Sequence, residues 1–124
     1  MRVIIDNTEI TNYIIEGSYN MNTDDKFESW EDGNMVEHRV IVKKKVSGDF
    51  EVVCSNRANS ITVSDFLALW NAADNNGVVT IGVDVLNEGT FKAINAYYSI
   101  QNKSHNRAGD GSTVDVFTVK ITER

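Results

Sequence analysis

A mainly β fold, an antiparallel sandwich or barrel with one packed α-helix and a long loop in its N-terminal half, follows from three features of the sequence. Short runs of alternating apolar and polar residues recur along most of the chain, only one stretch has helical spacing, and strands and helices never alternate as βαβ units. The 124 residues are expected to form a single domain, 1–124, large enough to bury about two thirds of its unfolded surface.

The elements are read in order. "RVIIDNTEITNYIIEGSY" predicts a short strand, a polar turn at residues 6–9 and a second strand over residues 13–19, because its β-branched residues favour extended backbone. "GSYNMNTDDKFESWEDGNMVEH" has no steady period and predicts an extended acidic arm over residues 17–37. In "EHRVIVKKKVSGDFEVVCS", Val40, Val42 and Val46 alternate with Ile41, Lys43 and Lys45, and Ser47-Gly48-Asp49 predicts a hairpin turn into Phe50, Val52 and Cys54.

A helix is predicted over residues 63–75. Thr62 and Asp65 have capping-box spacing, Val63, Phe66, Leu67, Trp70 and Ala73 share one stripe, and Asn75-Asn76-Gly77 supplies the stop. A hairpin follows, turning at Asn87-Glu88-Gly89. A basic loop over residues 101–113 then leads to a final edge strand with Phe117, Val119 and Ile121 on one face and Val114, Val116 and Thr118 on the other. The adjacent Tyr97 and Tyr98 must point to opposite faces, one into the core and one outward.

The net charge of -6 is placed unevenly: residues 1–37 hold nine acids against Arg2 and Lys26 and supply the whole imbalance. Such a chain has no broad basic face for phosphates, which argues against nucleic-acid binding as its main task. An acidic wall along a channel through which DNA slides is compatible with it. No apolar run is long enough to span a membrane, and the single Cys54 excludes an internal disulfide or a cysteine-based zinc site. A reducing cytoplasm suits its synthesis.

The expected catalytic, metal and cofactor sets are all empty. Asp24, Asp25, Glu28, Glu31 and Asp32 cluster without calcium-loop spacing and read as a solvated acidic loop. His38 and His105 are far apart and read as surface or strand-end residues. Cys54 alternates with Phe50 and Val52 and behaves as a small hydrophobe, and Gly109 and Gly111 form a hairpin tip with no phosphate-loop lysine.

The chain therefore carries a long acidic arm and a shorter basic one, with Lys103, His105 and Arg107 against Asp110. Opposite-sign arms suit head-to-tail assembly of identical subunits into a ring. Tyr19, Phe27 and Trp30 are anchor-type residues that a merely solvated loop does not need.

The order of these pieces, with Trp30, Asp32-Gly33, His38-Arg39, the helix from Val63 and the closing Ile121-Thr122-Glu123-Arg124, resembles small structural tail proteins of phages and prophages of Gram-positive bacteria. It is also similar in architecture to the tail-tube family, a β-barrel with a flanking helix and a long loop reaching the next ring. The resemblance implies a non-enzymatic virion subunit made in the host cytoplasm, whose partners are copies of itself in rings or stacked rings and other tail proteins. It leaves open a tube, distal-tail, neck or tail-completion role.

On that reading the intersubunit residues are Tyr19, Phe27, Trp30, Asp32, Lys43, Lys45, Lys103 and Arg107, the arm's acids facing the lysines of the adjoining copy. A lumen would pass DNA without specific binding. Two other readings compete. One is a carbohydrate- or ligand-binding β-sandwich stacking sugars on Trp30, Tyr19 and Tyr97 or Tyr98. The other is a small hydrolase using Glu28 and Asp32, for which the residues offer only proximity along a loop.

Overall fold

The computed structural model describes the backbone of residues 1–31 and 37–124, and the side chains of residues 1–24 and 44–124. Seven antiparallel strands form one sheet, with a single helix: β1 (Val3–Ile5), β2 (Thr8–Glu9), a 3₁₀ turn (Thr11–Tyr13), β3 (Asn20–Glu31), β4 (Glu37–Ser55), α1 (Val63–Ala73), β5 (Val78–Val85), β6 (Thr90–Arg107) and β7 (Thr113–Glu123). The order across the sheet is β2-β1-β5-β6-β7-β4-β3.

The sheet curls toward a barrel without closing into one. Where β3 begins it meets the end of β5: the Leu86 N–H donates to the Met21 carbonyl at 2.9 Å, and Asn87 clamps Thr23 at both its N–H and its carbonyl, each at 2.8 Å. The Tyr19 hydroxyl donates to the Asp84 carbonyl in the same seam. Past these contacts β3 turns away with β4.

Period-2 alternation fills the concave face. Val3 and Ile5, Phe50, Val52 and Cys54, Val79, Ile81, Val83 and Val85, Ile94 and Ala96, and Phe117, Val119 and Ile121 are all buried there. Helix α1 lies over this face through Phe66 and Trp70, with Val63 and Ala73 partly buried beside them, whereas Leu67, expected in the same stripe, is 37% exposed and Leu69 packs on the core instead. The Phe66 ring lies 5.5 Å from Phe117, and Trp70 stacks on Tyr98 at 5.0 Å. At the helix start the Thr62 hydroxyl oxygen accepts from the Asp65 N–H at 3.1 Å, satisfying one of the orphan donors. The helix ends two residues before the expected boundary, at Ala73, and Asn76 and Gly77 adopt positive φ of 56° and 85° to turn the chain into β5.

Several expectations are corrected. Ser47-Gly48-Asp49 makes no turn; β4 runs straight through it, and the glycine serves close approach instead. A Cβ on Gly48 would stand 1.8 Å from the Asn20 carbonyl oxygen. Residues 13–19 form no strand: after the 3₁₀ turn only Ile14 bridges Val52, buried as a single plug. The acidic arm is regular over Asn20–Glu31, where it pairs with β4 as β3, and the basic loop shrinks to residues 108–112 because β6 continues to Arg107. Finally, β7 is an interior strand between β6 and β4 and not an edge.

Truncation of Phe66 or Trp70 to alanine is expected to cost about 3 to 5 kcal/mol in urea unfolding, and a loss below about 1 kcal/mol would contradict the helix packing. Gly48→Ala should cost about 3 kcal/mol because only backbone faces the added methyl. Gly82→Ala should cost less, since the nearest atom there is the tip of the Phe91 ring, which can rotate.

Candidate functional site

The pairing of β4 is lopsided. It holds β3 along its length, from Asn20 opposite Asp49 to Glu31 opposite Glu37, but it holds β7 only from Ser47 to Ser55. Residues 37–46 therefore run on past β7 with β3 as their one strand partner among the described residues, making a two-stranded ribbon. At its root the Val46 N–H is taken by the Glu123 carboxylate at 2.9 Å. A ribbon of two strands is marginally stable alone, and its outer edges offer unpaired N–H and carbonyl groups to another strand.

The register also sets the charge. Asp24 stands opposite Lys45 and Asp25 opposite Lys44, so near the root the acids of β3 run along the lysines of β4 in the same chain. Such opposite-charge pairs contribute roughly 0.2 to 1 kcal/mol each. Lys45 thus has an acid of its own chain opposite it, whereas Lys43 stands opposite Lys26 and has no acid across the ladder. Farther out, past a bulge between Lys26 and Phe27, Glu28 lies opposite Val40 and Glu31 opposite Glu37, and no lysine faces them across the ladder.

The expected interface residues divide. Phe27 and Trp30 sit on the ribbon backbone opposite Ile41 and His38, but their side chains, like that of Lys43, lie outside the described residues, as does the whole of Asp32. Lys45 is half-buried near the root. Tyr19 belongs to the fold: its ring stacks on Phe50 at 6.2 Å, its hydroxyl is bonded to the Asp84 carbonyl, and burial, aided by the Asp84 charge, raises its pKa. Lys103 is engaged with Glu51 of its own chain at 2.7 Å, while Arg107 is exposed at the end of β6.

Of the tyrosine pair, Tyr98 turns inward onto Trp70 and bonds Asp74, and Tyr97 is 53% exposed on the other face. Tyr19, Tyr97 and Tyr98 thus form no common stacking platform.

The opposite end of the sheet holds a polar cluster that the sequence reading missed. A bulge in β6 at Lys103 shifts the alternation, so that Asn102 faces Phe117 before it and His105 faces Asp115 after it. Without that bulge His105 would point away from the core face. Asp115, 4% exposed, accepts from Asn102 Nδ2 at 3.2 Å and lies 2.5 Å from His105 Nδ1. Arg57 donates twice to the Ser112 hydroxyl, which donates to Asp110 at 2.6 Å, closing the β6–β7 tip. The signal available in the sequence was a lone aspartate at an inward position of "VDVFTV", which demands partners when buried.

Cys54 stands directly opposite Asp115 across β4 and β7. Burial, then the Asp115 charge, push its thiol up to about 12, so at neutral pH it lacks the thiolate that nucleophilic attack requires. Among the described residues no group of three or more His, Cys, Asp or Glu could hold a metal.

With this geometry in view, comparison with known proteins adds no relative: no family model, curated protein or solved structure matches the chain.

The thiol sets a pH dependence. Its folded pKa of about 12 exceeds the ordinary 9.0, so the folded state holds the proton more tightly. That contribution is complete below pH 9.0 and is lost as the pH rises toward about 12. Urea midpoints should fall across this window, and Cys54→Val should flatten the fall. An unchanged slope in the variant would contradict the assignment.

Proposed function

We propose that this chain is a non-enzymatic structural subunit of a phage or prophage tail, which joins copies of itself into rings or stacked rings. The observation that carries this reading is the β3–β4 ribbon, which leaves the body with both edges lacking strand partners among the described residues. A strand pair of that length has little reason to persist in a monomer and good reason to persist when a neighbour covers it.

The placement of charge supports a head-to-tail arrangement. The ribbon departs near Thr122 of β7, whereas the β6–β7 tip with exposed Arg107 lies beyond Thr113 at the other end. Between Thr122 and Val114 the strand spans about 27 Å at ~3.4 Å per residue, so the root of the acidic ribbon and the exposed Arg107 lie at opposite ends of β7. Like charges opposed across a ladder, as Glu31 and Glu37 are, are destabilising until a cation joins them. Arg107 of a neighbouring copy is such a cation.

Phe27 and Trp30 supply the apolar anchoring. Self-complementary ends displaced along one axis generate a ring if the rotation closes and a filament if it does not. The acidic balance of the chain, with its sequence pI of about 4.8, suits a wall past which DNA moves without sticking. The resemblance to phage tail proteins in the order of elements supports the same conclusion.

Light scattering after size exclusion should show mass rising with concentration to a discrete ring or a tube. A variant with residues 25–43 replaced by a two-residue turn should stay monomeric at every concentration while unfolding cooperatively. Trp30→Ala should weaken assembly with little change in the thermal midpoint of the monomer. Assembly undiminished in the shortened variant would overturn the proposal.

A further inference from the structure

Away from the ribbon, a groove of about 420 Å³ lies between the β1–β2 turn, the last turn of α1 and the outward side of β5 and β6. Its base is made by three direct cross-strand neighbours, Ile4, Gly82 and Ala93. Phe91 walls one side, its ring lying over Gly82 so closely that a Cβ there would meet the ring tip at 2.5 Å. The volume falls in the range that small ligands occupy, roughly 300 to 1,000 Å³.

The electrostatics of this groove have one sign. Asp6 lines it, is exposed, and has no hydrogen bond or ion pair among the described residues. Ala72 and Ala73 bring in the carbonyl end of α1, the negative end of the helix dipole, and no basic residue occupies its last turn. The next residue, Asp74, adds an anion where a cation would be favoured. The Tyr98 hydroxyl and the Gly77 N–H hold its carboxyl below the usual range. Arg2, the cation near Phe91, is committed: its guanidinium sits 5.2 Å from the centre of that ring and its Nε lies 3.4 Å from Glu9.

The geometry points to a binding site for a small organic ammonium compound, its apolar body resting on Ile4, Ala93 and Phe91 and its N–H donors directed at Asp6 and the carbonyl end of α1. Charge complementarity selects this class. An anion would meet Asp6 and the helix end, and a neutral body of the same shape would leave the Asp6 carboxylate unanswered. The site rests on the groove alone and is independent of the assembly reading.

Benzylammonium, with benzyl alcohol and benzoate as isosteric comparators, tests it by amide NMR titration of the intact protein. Benzylammonium should produce saturable shifts at the Ile4, Gly82 and Ala93 amides and bind about fivefold or more tighter than either comparator. Asp6→Asn keeps the turn, because asparagine tolerates the positive φ of 49° at that position, and should erase the preference over benzyl alcohol. Ala93→Leu should fill the groove and abolish the shifts from benzylammonium and from benzyl alcohol, with a urea midpoint close to that of the parent. Absence of saturable shifts at these amides, benzoate binding as tightly, or a preference that survives Asp6→Asn would each overturn the assignment.

Discussion

β4 outlasts the strand beside it, and the rest of the architecture accommodates that mismatch. A strand of 19 residues lies against an 11-residue β7, so just over half its length has no inner neighbour among the described residues. Within the body, β4 contributes Val46, Phe50, Val52 and Cys54 to the core. Outside it, the same strand carries lysines and is kept extended by β3 alone. Gly48 lies just inside the boundary, where the Asn20 backbone comes too close for any side chain.

The body is held by apolar burial from a single curled sheet that cannot cover its own concave face. One helix does so, anchored by Phe66 and Trp70 and fixed at its start by Thr62. At its far end the C-cap is an aspartate, Asp74, which two hydrogen bonds hold ionised. The open seam of the sheet is closed by polar contacts, with Tyr19, Asn87 and Leu86 bonding backbone groups that strand pairing would otherwise satisfy. The far end is closed by the Asp115, His105 and Asn102 cluster, where a bulge brings the largely exposed His105 onto the same face as the buried Asp115 carboxylate.

Much of this was legible in local pattern. Helix α1, its cap and its anchors Phe66 and Trp70, the β5–β6 hairpin and its turn, and the buried alternation of Phe50, Val52 and Cys54 all express a period that a short window reveals; Leu67, placed in the helix stripe by the same period, is exposed, and Leu69 packs on the core. What escaped depends on neighbours distant in sequence. Gly48 looks like a turn residue until Asn20 is known to lie against it. β3 lacks an apolar period because its partners are the lysines of β4 and its root is held by Asn87, so charge across the ladder replaced hydrophobic alternation as its signal. The pairing of His105 with Asp115 depends on a bulge that no composition rule marks. Tyr19 had the composition of an interface anchor, but the carbonyl that holds it belongs to Asp84.

The functional reading turns on whether the ribbon edges are completed by a second chain. Hydrogen–deuterium exchange of residues 37–46, compared with residues 47–55 of the same strand across a dilution series, measures this directly. Amides of 47–55 already paired with β7 should be protected at every concentration. The account predicts that those of 37–46 exchange freely in dilute protein and become protected as the mass of the assembly rises. Protection of 37–46 that is the same in the dilute monomer as in concentrated protein would contradict it, because the ribbon would then be complete without a partner.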